Sequence, residues 1–161
     1  MLQQSFASLV GDLDQAMLVV TVAADAERAG CLVEFSTPAS VDPPRFLVCL
    51  SKKNRTYRLA RDAPALAVHL LGDDAAELAE LFGGETSDEV DKFAHCSWSE
   101  GPLGLPILEG TSASFAGRVV ARLDAGDHEA FLLEPIEIRR EGRARPFRAG
   151  QARPIEPGHE L

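Results

Sequence analysis

Long apolar runs are missing from this 161-residue chain. No stretch approaches the ~20 apolar residues that a bilayer-spanning helix requires, so no membrane segment is expected. Basic residues are in the minority: sixteen Lys and Arg stand against twenty-five Asp and Glu, for a net charge of −9 and a pI near 4.9. That balance lacks the broad basic face a phosphate backbone demands, which excludes nucleic acid as a general partner. Cysteine is scarce and odd in number, with Cys31, Cys49 and Cys96 scattered along the chain. The first residues, Met1-Leu2-Gln3-Gln4-Ser5, lack the basic and apolar regions of an export signal. Together these set the expectation of a cytoplasmic protein with reduced thiols. His95-Cys96 has no second pair at zinc-ligand spacing, so no metal is expected. No Gly-x-Gly-x-x-Gly occurs, which removes a separate Rossmann domain, and no Ser-His-Asp or Cys-His arrangement follows from spacing. Internal repeats and low-complexity tracts are absent too.

What is present suffices for one packed domain. The chain is 45% hydrophobic, and its length suits a single unit, expected over residues 1–150 with a mobile tail at 151–161 marked by Pro154 and Pro157. Phe6, Leu9, Val10 and Leu13 share a helical stripe, predicting a short amphipathic helix over residues 5–15. Residues 17–24 are β-branched and apolar, as in a strand buried on both faces. After a polar turn at residues 25–30, a second strand is expected over residues 31–36. Pro38 and Pro43-Pro44 predict an irregular, extended loop. Further strands are expected over residues 46–50, 66–71, 111–123, 128–138 and 143–147, and helices over residues 54–61 and from Asp73 or Asp74 to Gly83-Gly84. Residues 85–110, broken by glycine and proline, read mostly as loop. In the long strand, Ala113, Phe115, Gly117, Val119, Ala121 and Leu123 are expected on one face. Strands joined by hairpins, with two or three helices, predict a mainly β fold with some α: a closed antiparallel barrel carrying peripheral helices.

One charge cluster stands against the acidic background. Lys52, Lys53, Arg55 and Arg58 fall within seven positions, where the apolar strand Phe46-Leu47-Val48-Cys49-Leu50 ends and a helix opens. Ser51, Asn54 and Thr56 add hydroxyl and amide donors. A donor-rich loop leading into a helix fits a phosphate cradle, with Lys52 or Lys53 giving the main charge; a solvated basic helix start is the other reading. His69 reads as a hydrogen-bonded strand residue, Cys49 as a small buried hydrophobe, and Trp98 as either an interface or a core cover.

Four sequence elements together resemble the flavin reductase-like family of FMN-binding split barrels. They are the segment from Gly30 to Tyr57, containing Asp42-Pro43-Pro44, Phe46-Leu47-Val48-Cys49-Leu50-Ser51 and Lys53-Asn54-Arg55-Thr56-Tyr57; Leu81-Phe82 followed by Asp91-Lys92-Phe93; Gly104-Leu105-Pro106-Ile107-Leu108; and Gly126-Asp127-His128. The resemblance implies an antiparallel split β-barrel, a homodimer with FMN or FAD near the subunit interface, and reduction of that flavin by NAD(P)H. A partner monooxygenase is a further implication. Carried over by position, Leu32, Val33, Glu34 and Phe35 line the flavin ring, and Ser51, Lys52, Lys53, Asn54 and Thr56 hold the phosphate. Lys92 and Phe93 close over the cofactor, and His128 takes the catalytic position beside ring and nicotinamide. Where members of the family often carry Thr-x-Ser-Ser, this chain has Leu32-Val33-Glu34-Phe35. That departure supports the alternative of a non-catalytic barrel that holds a flavin or deazaflavin.

Overall fold

The computed structural model describes residues 1–84 and 90–155. Nine strands and four helices are described: α1 (Leu2–Asp12), β1 (Leu18–Ala24), β2 (Glu27–Val33), β3 (Ser36–Ser40), β4 (Arg45–Ser51), α2 (Arg55–Ala60), β5 (Ala65–Leu70), α3 (Ala76–Gly84), β6 (Trp98–Glu100), β7 (Pro106–Leu108), β8 (Ala113–Asp124), β9 (His128–Arg140) and α4 (Ala149–Ala152). Seven strands form one antiparallel sheet in the order β2-β1-β5-β8-β9-β4-β3, and β6 pairs with β7 alone.

The two edge strands of that sheet are consecutive in sequence. Only Glu34 and Phe35 separate the end of β2 from the start of β3. A linker that short reaches about 10 Å at most, so the sheet must curl until its edges meet. The Cys49 N–H of β4 donates to Phe35 O in this linker, the seam of the barrel, at 2.9 Å, extending the β3–β4 ladder into it. The result is a split barrel, as the sequence predicts.

Alternation along β1 explains both layers of the core. Leu18, Val20 and Val22 point into the barrel, where they meet Cys31, Val33, Val48, Leu50, Leu66, Val68, Phe131 and Leu133. Ala60 and Ala63, at and beyond the end of α2, join this cluster. Met17 and Val19 point outward, beneath Ala79 and Phe82 of α3, Phe93, Leu108 and Phe147. Burial of both faces accounts for the unbroken apolar sequence of β1.

Several boundaries differ from the sequence expectation. Helix α1 begins at Leu2 rather than residue 5 and buries none of its side chains, leaving Leu2, Phe6, Leu9 and Leu13 exposed. The turn after β1 is only Asp25-Ala26, both at positive φ (50° and 65°). That two-residue hairpin starts β2 at Glu27, four residues early. The proline-rich stretch is not a loop throughout: β3 pairs with β4, and Pro38 is tolerated because an edge strand need not use every N–H. Within residues 85–110, β6 and β7 form a hairpin; residues 85–89 lie outside the described residues. Residues 143–147 make only an isolated bridge, Gly72 to Pro146. Register shifts at Ala116/Gly117 and Val119/Ala121 break the expected single face of β8. Phe115 and Val119 still reach the core, but Leu123 is exposed. Ala152 and Ile155 pack against the outer core cluster, so the expected tail is packed at least to residue 155, and residues 156–161 lie outside the described residues.

Candidate functional site

Strand register brings the basic loop to the Gly126-Asp127-His128 turn. Ser51, last in β4, is the direct cross-strand partner of His128, first in β9. The Lys52 N–H donates to Asp127 O at 2.9 Å. The Lys52 ammonium donates to Asp124 Oδ1 at 2.6 Å. Asp124 closes β8 and also accepts from the Gly126 N–H at 3.1 Å. Its hydrogen bond to Lys52 holds the Asp124 carboxyl below its ordinary range, and the same bond raises the lysine.

His128 is oriented by its neighbour. Its Nδ1 lies 2.7 Å from Asp127 Oδ1. An ionised carboxylate only accepts, so Nδ1 carries the hydrogen and Nε2 of the neutral ring is left as an acceptor. That bond to His128 holds the Asp127 carboxyl below its ordinary range. The imidazole packs against Phe35 at a centroid distance of 5.0 Å. Phe35 is exposed and sits on the seam itself.

The opening of α2 is self-satisfied. Asn54 caps the helix, with Oδ1 accepting from the Thr56 N–H at 2.9 Å. The amide side of Asn54 remains a donor. Ser51 Oγ accepts weakly from the Lys53 N–H at 3.4 Å. Thr56 is fully buried and its Oγ1 makes no hydrogen bond of proper geometry. Its hydroxyl instead influences the Cys31 thiol, which burial pushes upward in pKa. The Asn54 side chain acts on the same thiol, so both residues border the core at Cys31. Helix α2 has six residues, too few for a strong dipole, so any anion site here rests on side-chain donors.

The sequence-predicted residues thus divide. Phe35, Ser51, Lys52, Lys53, Asn54 and His128 come together at the seam and the adjoining turn. Val33 is buried inside the barrel, while Leu32 packs into the outer cluster against Gly83. Glu34 is partly exposed at the start of the seam. Lys92 and Phe93 are buried on the outer face of β2. Lys92 Nζ donates to Gly30 O at 3.1 Å and Phe82 O at 3.0 Å, and Phe93 packs edge-on against Phe82 and Trp98. Trp98 is a core cover, its Nε1–H donating to Phe93 O and its ring lying 4.5 Å below Arg28 Cζ. Asp124 is the site residue that sequence inspection misses. It precedes an ordinary turn, and its partner Lys52 is 72 positions away.

A family model described as flavin reductase like domain matches residues 10–154. The chain belongs to the flavin reductase-like family. It is 29% identical over 137 residues to the 4-hydroxyphenylacetate 3-monooxygenase reductase component of Pseudomonas aeruginosa, a match covering 84% of this chain and 81% of that protein. It is 33% identical over 132 residues to the FMN reductase (NADH) RutF of Variovorax paradoxus, covering 82% and 73%. Among solved structures, the NADH:FAD oxidoreductase SgcE6 of Streptomyces globisporus superposes with a TM-score of 0.81 at 27% identity, covering 90% of this chain and 92% of that one. The segment over residues 32–35, expected to line the flavin ring, ends at the seam, and Phe35 packs on His128, the cross-strand partner of Ser51 in the basic loop. Among the described residues no cluster of metal-ligating side chains occurs, and no helix is long and apolar enough to cross a membrane.

Proposed function

We propose that this protein is an NAD(P)H-dependent flavin reductase that binds FMN or FAD at the barrel seam. The observation that carries the reading is the meeting of two kinds of group in one place. Ser51, Lys52, Lys53 and Asn54 supply hydroxyl, ammonium and amide donors suited to a phosphate. Phe35 and His128 supply ring surfaces suited to a planar heterocycle. The names of its relatives in the family, which are reductases of FMN or FAD using NADH, support the same chemistry. When bound, the flavin supplies the reactivity, taking a hydride from the reduced nicotinamide. The chain aligns and shields. Asp127 fixes the tautomer of His128, leaving Nε2 to accept a hydrogen bond from an amide such as the nicotinamide carboxamide. Phe35 covers one side of the seam from water. No protein acid or base is needed for this transfer.

Exposed apolar surface on α1 (Leu2, Phe6, Leu9) and on β8 and β9 (Leu123, Ile138) supports a homodimer. A monooxygenase is the proposed recipient of the reduced flavin, following the role in the Pseudomonas relative's name.

Purified protein loaded with FMN or FAD is expected to be yellow and to bleach on anaerobic addition of NADH or NADPH. A yellow protein indifferent to both nicotinamides overturns the reductase reading in favour of a holding role. Failure to take up either flavin overturns both.

The loop has its own test. Lys52→Ala/Lys53→Ala should weaken FMN roughly 10- to 100-fold while leaving riboflavin nearly unchanged, since a charge-assisted contact to phosphate is lost and riboflavin has none. Equal losses for the two ligands, measured by fluorescence titration, would assign the lysines to the fold instead.

A further inference from the structure

The basic loop does not stand in a positive field. Beside its two lysines lies a hairpin tip that carries Asp124, Asp127 and Glu129: Asp124 and Glu129 act on Lys52, and Lys53 acts on Asp127. Lys52 is held at 2.6 Å by Asp124 and also feels the charge of Glu129. Asp124 Oδ1 takes up the ammonium in the direction of the exposed hairpin tip, where its side chain is 74% accessible and that of Lys52 33%. A phosphate approaching Lys52 from solvent therefore meets a carboxylate already seated there.

We propose that Asp124 is an internal counter-ion of the flavin site, seated on Lys52 in place of a ligand phosphate and exchanged for it on binding. This rests on the assignment of the basic loop to the flavin phosphate. Three consequences follow from charge alone. The exchange swaps one exposed ion pair for another, so releasing Asp124 offsets part of what Lys52 gains from the phosphate, and a dianionic phosphate competes for the ammonium better than a weaker anion does. Any ligand without a phosphate leaves the Lys52–Asp124 pair intact and is indifferent to Asp124. Salt screens the lost and the gained pair alike, so the salt dependence of phosphate binding is blunted in the native protein.

Asp124→Asn tests this directly. Asparagine keeps an Oδ1 acceptor for the Gly126 N–H, so the turn is preserved, but the charge is gone. The variant is expected to bind FMN roughly two- to fivefold more tightly than wild type, the range an exposed ion pair is worth. Riboflavin affinity should not move. FMN affinity should also fall more steeply between low and high salt than in wild type, because a phosphate pair now forms without another being broken. In the Lys52→Ala background Asp124→Asn should no longer tighten FMN through Lys52, and most of the gain should vanish. Asp124→Ser is the second variant, retaining a small polar turn residue, and should repeat the pattern.

The outcomes separate cleanly. FMN binding that weakens or stays level in both Asp124 variants, while Lys52→Ala still weakens it, overturns the counter-ion role and leaves the phosphate loop standing. FMN binding indifferent to both Lys52 and Asp124 overturns the loop assignment and this proposal with it. A gain shared equally by riboflavin overturns it too, since that gain does not come from the phosphate.

Discussion

Acidification from pH 7 to pH 4 is expected to cost the folded protein on the order of 3 kcal/mol through His69 alone. The imidazole is fully buried and burial lowers its pKa from 6.5 to about 4. Its two nitrogens are both committed. Nδ1 lies 3.0 Å from Val19 O, and Nε2 lies 3.0 Å from the Leu108 nitrogen, whose N–H it accepts. The backbone partners fix the tautomer: Nδ1 must carry the hydrogen and Nε2 the lone pair. Protonation would set two N–H groups against each other at Leu108. The unfolded chain, whose His69 titrates near its ordinary value, takes up the proton first. His69 stabilisation is therefore full above about pH 6.5, declines as pH falls through the window down to about 4, and is spent below it. Urea unfolding across pH 7.5 to 4 checks the slope. His69→Gln, which can offer the same donor and acceptor without titrating, should flatten the curve in that window. A wild-type curve already flat there would mean that the imidazole is not held neutral. The depressed carboxyls of Asp124 and Asp127 begin to lose their own contribution where the unfolded carboxyls protonate, from about pH 5 downward, so the slope above that point reports His69.

The same residue shows what kind of structure a sequence conceals. That His69 lies in a strand and is hydrogen-bonded is legible from the apolar residues around it. That it ties the main sheet to the separate β6–β7 hairpin is not, because Leu108 lies 39 positions away in a segment so rich in glycine and proline that it reads as loop. Short apolar runs predicted β1, β4, β5 and β9 well, since each is buried on at least one face and its pattern is its own. Edge strand β3 is proline-containing and exposed, so no core pattern marks it, and only its pairing to β4 makes it a strand. Barrel closure follows from the two-residue step between β2 and β3, which becomes visible only when the end of β2 is correctly placed. In the candidate site, the donor-rich loop was legible because its chemistry is contiguous from Ser51 to Asn54. The contact of Lys52 with Asp124 and the burial of Thr56 were not, since both are set by which strand lies next to which.

Lys92→Met is expected to destabilise the flavin-free protein by about 2–4 kcal/mol, more than any substitution in the exposed loop. The resemblance to the family implies that Lys92 closes over the cofactor; in the structure its ammonium is engaged with the backbone. Its side chain is buried, Nζ donates to the carbonyls of Gly30 and Phe82, and it lies 5.6 Å from the Phe82 ring centre. One carbonyl belongs to β2, four residues before the seam begins at Glu34; the other lies in the last turn of α3. Lys92 thus clamps the helix onto the strand. The contact is close: a Cβ on Gly30 would come within 2.7 Å of Phe82, so strand and ring are already in contact. Methionine fills similar volume but cannot donate, leaving buried carbonyls short of a partner, each worth roughly 1–3 kcal/mol. Relief from burying a charge offsets part of this, which sets the expected loss below the plain sum of the lost contacts. Because the strand leads directly into the seam, FMN and riboflavin should weaken together, by the same factor, as the segment holding Phe35 loosens. Chemical unfolding of the flavin-free variant and titration with both ligands decide between the two roles. Unchanged stability with FMN alone weakened would place the ammonium on the cofactor phosphate and remove it from the clamp.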